Sequence, residues 1–252
     1  MPDDALGGAA GLPRLALVLP CYNEADNLPR LLEAYAAAHA ATGLPHDLVL
    51  VNNGSTDASA AVLARELARP ELAFARAVTV PVNQGFGHGT FAGLQAAAQA
   101  GAQIVGFSHA DLQYTPHDCL AAYQRLLAEP DPARVLVKGK RAPRGLSAGL
   151  VTNTMAALAS LVLLMPLTDI NAQPKLFHRS HLARLVRPPP GFQFDLYVLY
   201  AARRAGLRLL TVPVTFGPRA YGQSKWAFSF LSRSRTIWAT IVYIFQLRFG
   251  RA

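Results

Sequence analysis

The chain has 252 residues, 52% of them hydrophobic and 15% charged, which excludes a disordered polypeptide and allows one substantial core. With 24 lysines and arginines against 15 acidic residues the formal charge is +9, which suits an anionic partner: a nucleotide diphosphate, a lipid phosphate, an anionic membrane or nucleic acid. Two cysteines, Cys21 and Cys119, exclude a disulfide framework and any C-x-x-C metal site, so a reducing, cytoplasmic setting is the default.

Residues 1–11 carry Asp3 and Asp4 and lack the basic start and apolar run of a signal peptide. From there short apolar runs alternate with alanine-rich helical stretches, the pattern of a largely parallel sheet covered on both faces. Strands are predicted at 15–19, 47–51, 75–80, 104–107 and 135–138, with helices at 27–41, 58–68, 90–100 and 116–128 between them. The stretch 146–167 is about as long as a membrane span and uncharged, but Thr152, Asn153, Thr154 and Pro166 argue for an apolar helix that is part core and part interfacial. Beyond it a helix is predicted at 195–205, a strand at 207–216 and a terminal helix at 228–249.

In such sheets ligands collect at the carboxyl ends of the strands. Four successive strand ends here are polar: Pro20, Cys21, Tyr22, Asn23 and Glu24; Asn52, Asn53, Gly54, Ser55, Thr56 and Asp57; Asn83 to Gly89; and His109, Ala110, Asp111, Leu112 and Gln113. In a parallel sheet the four clusters would converge on one crevice. Taken singly, each has a structural reading as a turn or cap, and Asp57 suits the helix cap best. The glycines 85, 87 and 89 follow the third strand without G-x-G-x-x-G spacing, which argues against a dinucleotide oxidoreductase. They suit close backbone approach to a nucleotide or diphosphate before a helix N-terminus.

The order PCYNE, NNGSTD, NQGFGHG, HADLQ, KGKR, DINAQPKLFHR and RAYGQSK resembles glycosyltransferase family 2, in particular its dolichol-phosphate mannose synthase and polyprenyl-phosphate glycosyltransferase branch. The resemblance runs over about residues 15–226 and implies a GT-A fold, a Rossmann-like, mostly parallel α/β sheet flanked by helices. On this reading residues 1–225 are the catalytic domain and 226–252 a C-terminal amphipathic, interfacial helix.

The resemblance implies a nucleotide-sugar site made by Pro20, Tyr22, Asn23, Glu24, Asn52, Asn53, Gly54, Ser55, Gly85, His88, Gly89, His109 and Ala110. Where the family usually has two aspartates this chain has Asn52 and Asn53, and where it has the first aspartate of D-x-D this chain has His109. Asp111 and Gln113 match the remaining metal positions, and with His109 they are the expected ligands for magnesium or manganese. Asp111, Arg141 and Asp169 are the expected catalytic residues; Arg141, Lys175, Arg219, Ser224 and Lys225 are the expected contacts of an acceptor phosphate.

The implied reaction is inverting transfer of a hexosyl unit from a nucleotide diphosphate sugar to a membrane lipid acceptor, polyprenyl phosphate, at the inner face of the membrane. A sugar hydroxyl as acceptor would need a carboxylate base, for which Asp169 and Asp195 are candidates. A degenerate nucleotide-sugar binder without turnover is a further reading of Asn52, Asn53 and His109. Nucleic acid is disfavoured as a partner, because basic residues do not interleave with aromatics before the C-terminus. That C-terminus crowds aromatics with charges that are all positive, which suits a membrane surface or packing on the catalytic domain.

Overall fold

In the computed structural model, which describes residues 12–142, 146–217 and 230–250, the described residues form one mixed sheet. Its strands are β1 (Leu15–Cys21), β2 (His46–Asn53), β3 (Ala75–Val80), β4 (Ile104–Phe107), β5 (Val135–Arg141), β6 (Lys175–His178) and β7 (Arg208–Val214). They lie in the order β3-β2-β1-β4-β6-β5-β7, as expected for a mostly parallel sheet. Around it stand α1 (Leu28–Thr42), α2 (Ser59–Glu66), α3 (Phe86–Gln99), α4 (Pro116–Leu127), α5 (Leu146–Leu163), α6 (Phe194–Arg204) and α7 (Phe230–Arg248).

The central strands are apolar throughout because both faces are covered. Alternation then sorts their side chains into two cores. Ala16, Val18, Val49, Val51, Val105 and Phe107 face one cluster with α3, α5, α6 and α7. Leu15, Leu17, Leu19, Leu48, Leu50 and Ile104 face the other, with α1 and α4. The entry to α4 is fixed by a reciprocal cap: Thr115 Oγ1 accepts the Asp118 N–H at 3.1 Å, and Asp118 Oδ2 accepts the Thr115 N–H at 2.9 Å.

Two elements depart from expectation. β6 falls inside the segment expected to supply ligand contacts, and it runs antiparallel to both β4 and β5. α3 begins at Phe86, ahead of the predicted 90, so Gly87 and Gly89 lie in its first turn. Glycine is a poor helix former, which is why the pattern placed the start later.

The stretch 146–167 is part core, as anticipated: Ala156, Ala159, Leu163 and Leu167 are buried, while Val151, Leu161 and Leu164 are exposed. No helix among the described residues is long and apolar enough to cross a membrane. α7 packs on α5, and its Tyr243, Ile244 and Leu247 join the hydrophobic core on that face of the sheet. One face of α7 therefore lies against the same core as the sheet.

Candidate active site

The loops after β1 and β2 are stitched together. Asn23, with φ of 55°, donates its main-chain N–H to Ser55 Oγ at 3.1 Å, and its Oδ1 accepts the Thr56 N–H at 2.8 Å. Glu24 donates its N–H to Ser59 Oγ at 2.9 Å, and its carboxylate accepts from Asn27 Nδ2 at 2.5 Å. Asp57 is structural, as expected, although it stands one residue before the N-cap of α2. It accepts the Ser59 N–H at 2.9 Å and reaches back to the Ala25 N–H at 3.2 Å. Pro20, Tyr22 and Glu24 remain partly exposed at this edge.

Asn52 and Asn53 are both buried and turn inward. Asn52 Oδ1 accepts the Ser55 N–H at 3.2 Å, bracing the turn at Gly54, and Asn53 Nδ2 donates to the Gly85 carbonyl at 3.1 Å. A Cβ on Gly89 would lie 2.6 Å from the Asn53 side chain, and one on Gly87 would lie 2.2 Å from the Pro189 carbonyl. Both glycines thus admit the chain's own groups at close range. His88 stays partly exposed, and its N–H is taken by the Pro190 carbonyl at 3.1 Å.

Past β4, Asp111 is 3% exposed and Ala110 4%, and Asp111 Oδ1 accepts the Gln113 N–H at 3.1 Å. The Gln113 amide donates to the Gly217 carbonyl at 3.1 Å, tying this loop to the chain beyond β7. His109, half-buried, sits between the rings of Phe86 and Tyr114 at 5.3 and 5.9 Å. Phe192 stacks on Phe86 at 5.6 Å and Phe216 meets Tyr114 edge-on at 5.2 Å, so an aromatic row crosses the sheet edge to Arg141, which lies 5.5 Å over Phe216.

Arg141 donates its main-chain N–H and Nε to Asp169, each at 2.8 Å, and Nη2 to the same carboxylate. Burial opposes the charge on Asp169, but these bonds outweigh it and hold the carboxyl below its ordinary value. Asp195 accepts from Gln173 Nε2 at 2.7 Å and pairs with Lys175. Lys175 was expected at an acceptor phosphate; it is fully buried, bonded to Asp195 and to the Ala172 carbonyl at 3.0 Å, so it belongs to the interior. Arg219, Ser224 and Lys225 lie outside the described residues.

Sequence reasoning passed over Lys138, a buried lysine whose Nζ donates to the carbonyls of Asp169 and Gly139 at 3.0 and 3.1 Å. The signal was present: a lysine directly after Val-Leu-Val in a strand covered on both faces must be buried. No group of three His, Cys, Asp or Glu side chains among the described residues could hold a metal alone. One buried carboxylate beside an amide suits a magnesium-type ion that takes most of its ligands from water and substrate phosphates.

The profile of glycosyl transferase family 2 matches residues 16–186. An uncharacterised glycosyltransferase of Mycobacterium bovis is 33% identical over 221 residues, covering 84% of this chain and 88% of that protein. The undecaprenyl-phosphate 4-deoxy-4-formamido-L-arabinose transferase of Pectobacterium atrosepticum is 25% identical over 221 residues; the match covers 86% of this chain and 64% of that longer protein. Among solved structures, glucosyl-3-phosphoglycerate synthase from Mycobacterium tuberculosis, in complex with Mn2+, uridine diphosphate and glucosyl-3-phosphoglycerate, superposes with a TM-score of 0.69 at 21% identity over 95% of this chain and 81% of that one. Its likeness bears on the fold, and the sheet described above agrees with it. With the family profile spanning most of the chain and carrying the strand-end clusters and Asp111, the chain belongs to glycosyltransferase family 2 and is a glycosyltransferase.

Proposed function

We propose that the chain transfers a hexosyl unit, with inversion, from a nucleotide diphosphate sugar to a polyprenyl phosphate presented at a membrane surface. The observation that carries the acceptor assignment is the state of the two candidate bases. Asp169 is engaged by Arg141 and Asp195 by Lys175, so neither is a carboxylate waiting for a hydroxyl proton. A phosphate oxygen is already anionic and needs no such base. The named relatives that act on undecaprenyl phosphate point the same way.

Tyr22 and Glu24 would meet the base and ribose, with Asn23, Gly54 and Ser55 shaping that wall. Asp111 and Gln113, with His109 as a further ligand, would hold magnesium or manganese, whose charge stabilises the leaving diphosphate. Solved relatives contain Mn2+ or Mg2+ with uridine diphosphate, which supports that pairing. Arg141 would meet the acceptor phosphate, and Arg219, Ser224 and Lys225 would complete its cradle. The membrane would be met by the exposed face of α7.

The test is turnover of a panel of nucleotide sugars with polyprenyl phosphate, with free sugars and phosphoglyceric acid as soluble competitors for the role of acceptor. Transfer to polyprenyl phosphate that Asp111→Asn abolishes in a folded protein is the expected result. Arg219→Ala and Lys225→Ala should raise the acceptor Michaelis constant more than the donor's, each lost charged contact costing about 1.5–3 kcal/mol. Transfer only to a soluble acceptor would sink the lipid reading.

A further inference from the structure

Near the carboxyl end of β5 and the amino end of β6 the structure sets three cations, buried or half-buried, against two carboxylates. Arg141 is paired with Asp169 and Lys175 with Asp195. Lys138, 2% exposed, bonds two main-chain carbonyls and forms an ion pair with no carboxylate among the described residues. The extra positive charge of this cluster therefore resides on its Nζ.

The place where that Nζ bonds matters as much as its charge. Asp169 has φ of 43°, in the left-handed region that costs a non-glycine residue about 1–2 kcal/mol. It is held there from two sides. Its carbonyl accepts Lys138 Nζ at 3.0 Å and the Ala172 N–H at 3.0 Å, while its carboxylate accepts three bonds from Arg141. Lys138 is thus one residue removed from the guanidinium, and register pairs it directly with Lys175 across β6.

We infer that Lys138 is a positioning residue: it fixes Asp169, and through it the Arg141 guanidinium, and it carries the uncompensated charge that draws a phosphate to Arg141. This rests on the reading of Arg141 as a phosphate contact. The groups that bear on Lys138 are Lys175 on β6, Asp169 before it, Arg141 on its own strand and Asp195 on α6. Burial first, and repulsion from Lys175 next, bring its ammonium down to about 7, against the attraction of Asp169. An anion arriving at Arg141 favours the charged form, so phosphate binding above neutral pH draws in a proton.

The experiment uses the full chain, with farnesyl phosphate as the acceptor-side probe and uridine diphosphate with Mn2+ as the donor-side probe. Calorimetry at pH 6.5 and 8.0, in two buffers of different ionisation heat, reads affinity and proton uptake together. Lys138→Met should bind farnesyl phosphate about 10-fold more weakly at pH 6.5, where wild-type Lys138 is charged, equivalent to about 1.4 kcal/mol. At pH 8.0 it should lack proton uptake that the wild type shows, and uridine diphosphate binding should change far less. Thermal melting checks that the variant is folded. Equal affinity and equal proton uptake in wild type and Lys138→Met would overturn the inference, as would an equal loss for both probes. Arg141→Ala separates the two levels: if it binds farnesyl phosphate as the wild type does, the phosphate reading of Arg141 is what fails.

Discussion

Asp169 accepts three hydrogen bonds from Arg141, one from the main-chain N–H at 2.8 Å and two from the guanidinium, one of them from Nε at 2.8 Å. A carboxylate so held is ionised well below neutral pH and is a weak proton acceptor. Asp169→Asn should therefore lower kcat/KM by about 10- to 100-fold, through a displaced Arg141. The shape of the pH profile should stay as in the wild type. Loss of an acidic limb from the kcat profile of the variant would restore Asp169 as a general base. The stability contributed by this ionised carboxylate is present above its unfolded value near about 4 and is lost as pH falls through the lower folded value. The stability gap between wild type and variant should close over that acidic window.

Lys138 gives the opposite slope. Its folded value of about 7 lies below the ordinary 10.5, so between the two the unfolded chain binds more protons and stability rises with pH. The penalty is full below about pH 7 and vanishes above the ordinary lysine value. Relative to the wild type, Lys138→Met should lose on the order of 3 kcal/mol of stability between pH 6 and pH 10, because the wild type sheds its charging penalty over that range and the variant has none to shed. Melting temperatures across that range check both the sign and the window.

The Lys175 and Asp195 pair should behave as an internal tie rather than as ligand contacts. Lys175→Ala leaves Asp195 charged and buried, with Gln173 as its remaining bonded partner. The expected loss is about 3–5 kcal/mol, measured by urea unfolding. A variant that unfolds at wild-type urea concentration but loses acceptor binding would return Lys175 to the phosphate site.

The outline of the fold was legible because the central strands are apolar on both faces and the helices between them carry apolar stripes, with a side-chain cap at α4. Asp111 and Gln113 could be placed at a strand end for the same reason. What sequence could not supply was partnership at a distance. Arg141 and Asp169 are 28 residues apart, and Lys175 and Asp195 are 20 apart, so which charge pairs with which is not legible until the fold joins them. β6 was passed over because its four residues, Lys-Leu-Phe-His, begin with a lysine that only a buried aspartate makes tolerable. The close packing of Gly89 on Asn53 and of Gly87 on the Pro189 carbonyl was hidden in the same way.

Gly87 offers a direct check of that last point. A Cβ there would stand 2.2 Å from the Pro189 carbonyl and 2.8 Å from that of Gly191, and main-chain atoms cannot swing aside as a side-chain tip can. Gly87→Ala should destabilise the fold by about 1–3 kcal/mol despite the better helix propensity of alanine. Unchanged stability with weakened uridine diphosphate binding would mean that the glycine serves the ligand instead.

The face that α7 turns away from the domain should bind anionic membranes. Trp238, Val242, Phe245 and Phe249 recur at helical spacing and are 67, 38, 42 and 69% exposed, while Tyr243, Ile244 and Leu247 on the opposite side are buried. Leu161 of α5 adds a further exposed apolar side chain, at 74%. The charged residues of the terminal stretch, Arg233, Arg235, Arg248 and Arg251, are all positive, which suits anionic headgroups around an apolar stripe. Truncation before α7 would strip Ile244 and Leu247 from the core, so point changes on the outer face are the cleaner probe. Trp238→Glu with Phe245→Glu should leave the melting temperature near wild type. Each removes an aromatic worth about 1.5–3 kcal/mol when fully buried in the acyl boundary, so the pair should weaken binding to phosphatidylglycerol vesicles by at least about 10-fold. Sedimentation at low salt reads this directly: wild type pellets with the vesicles and the double variant stays in solution. If wild type also remains in the supernatant, the membrane role of α7 fails, and a soluble sugar hydroxyl becomes the better acceptor.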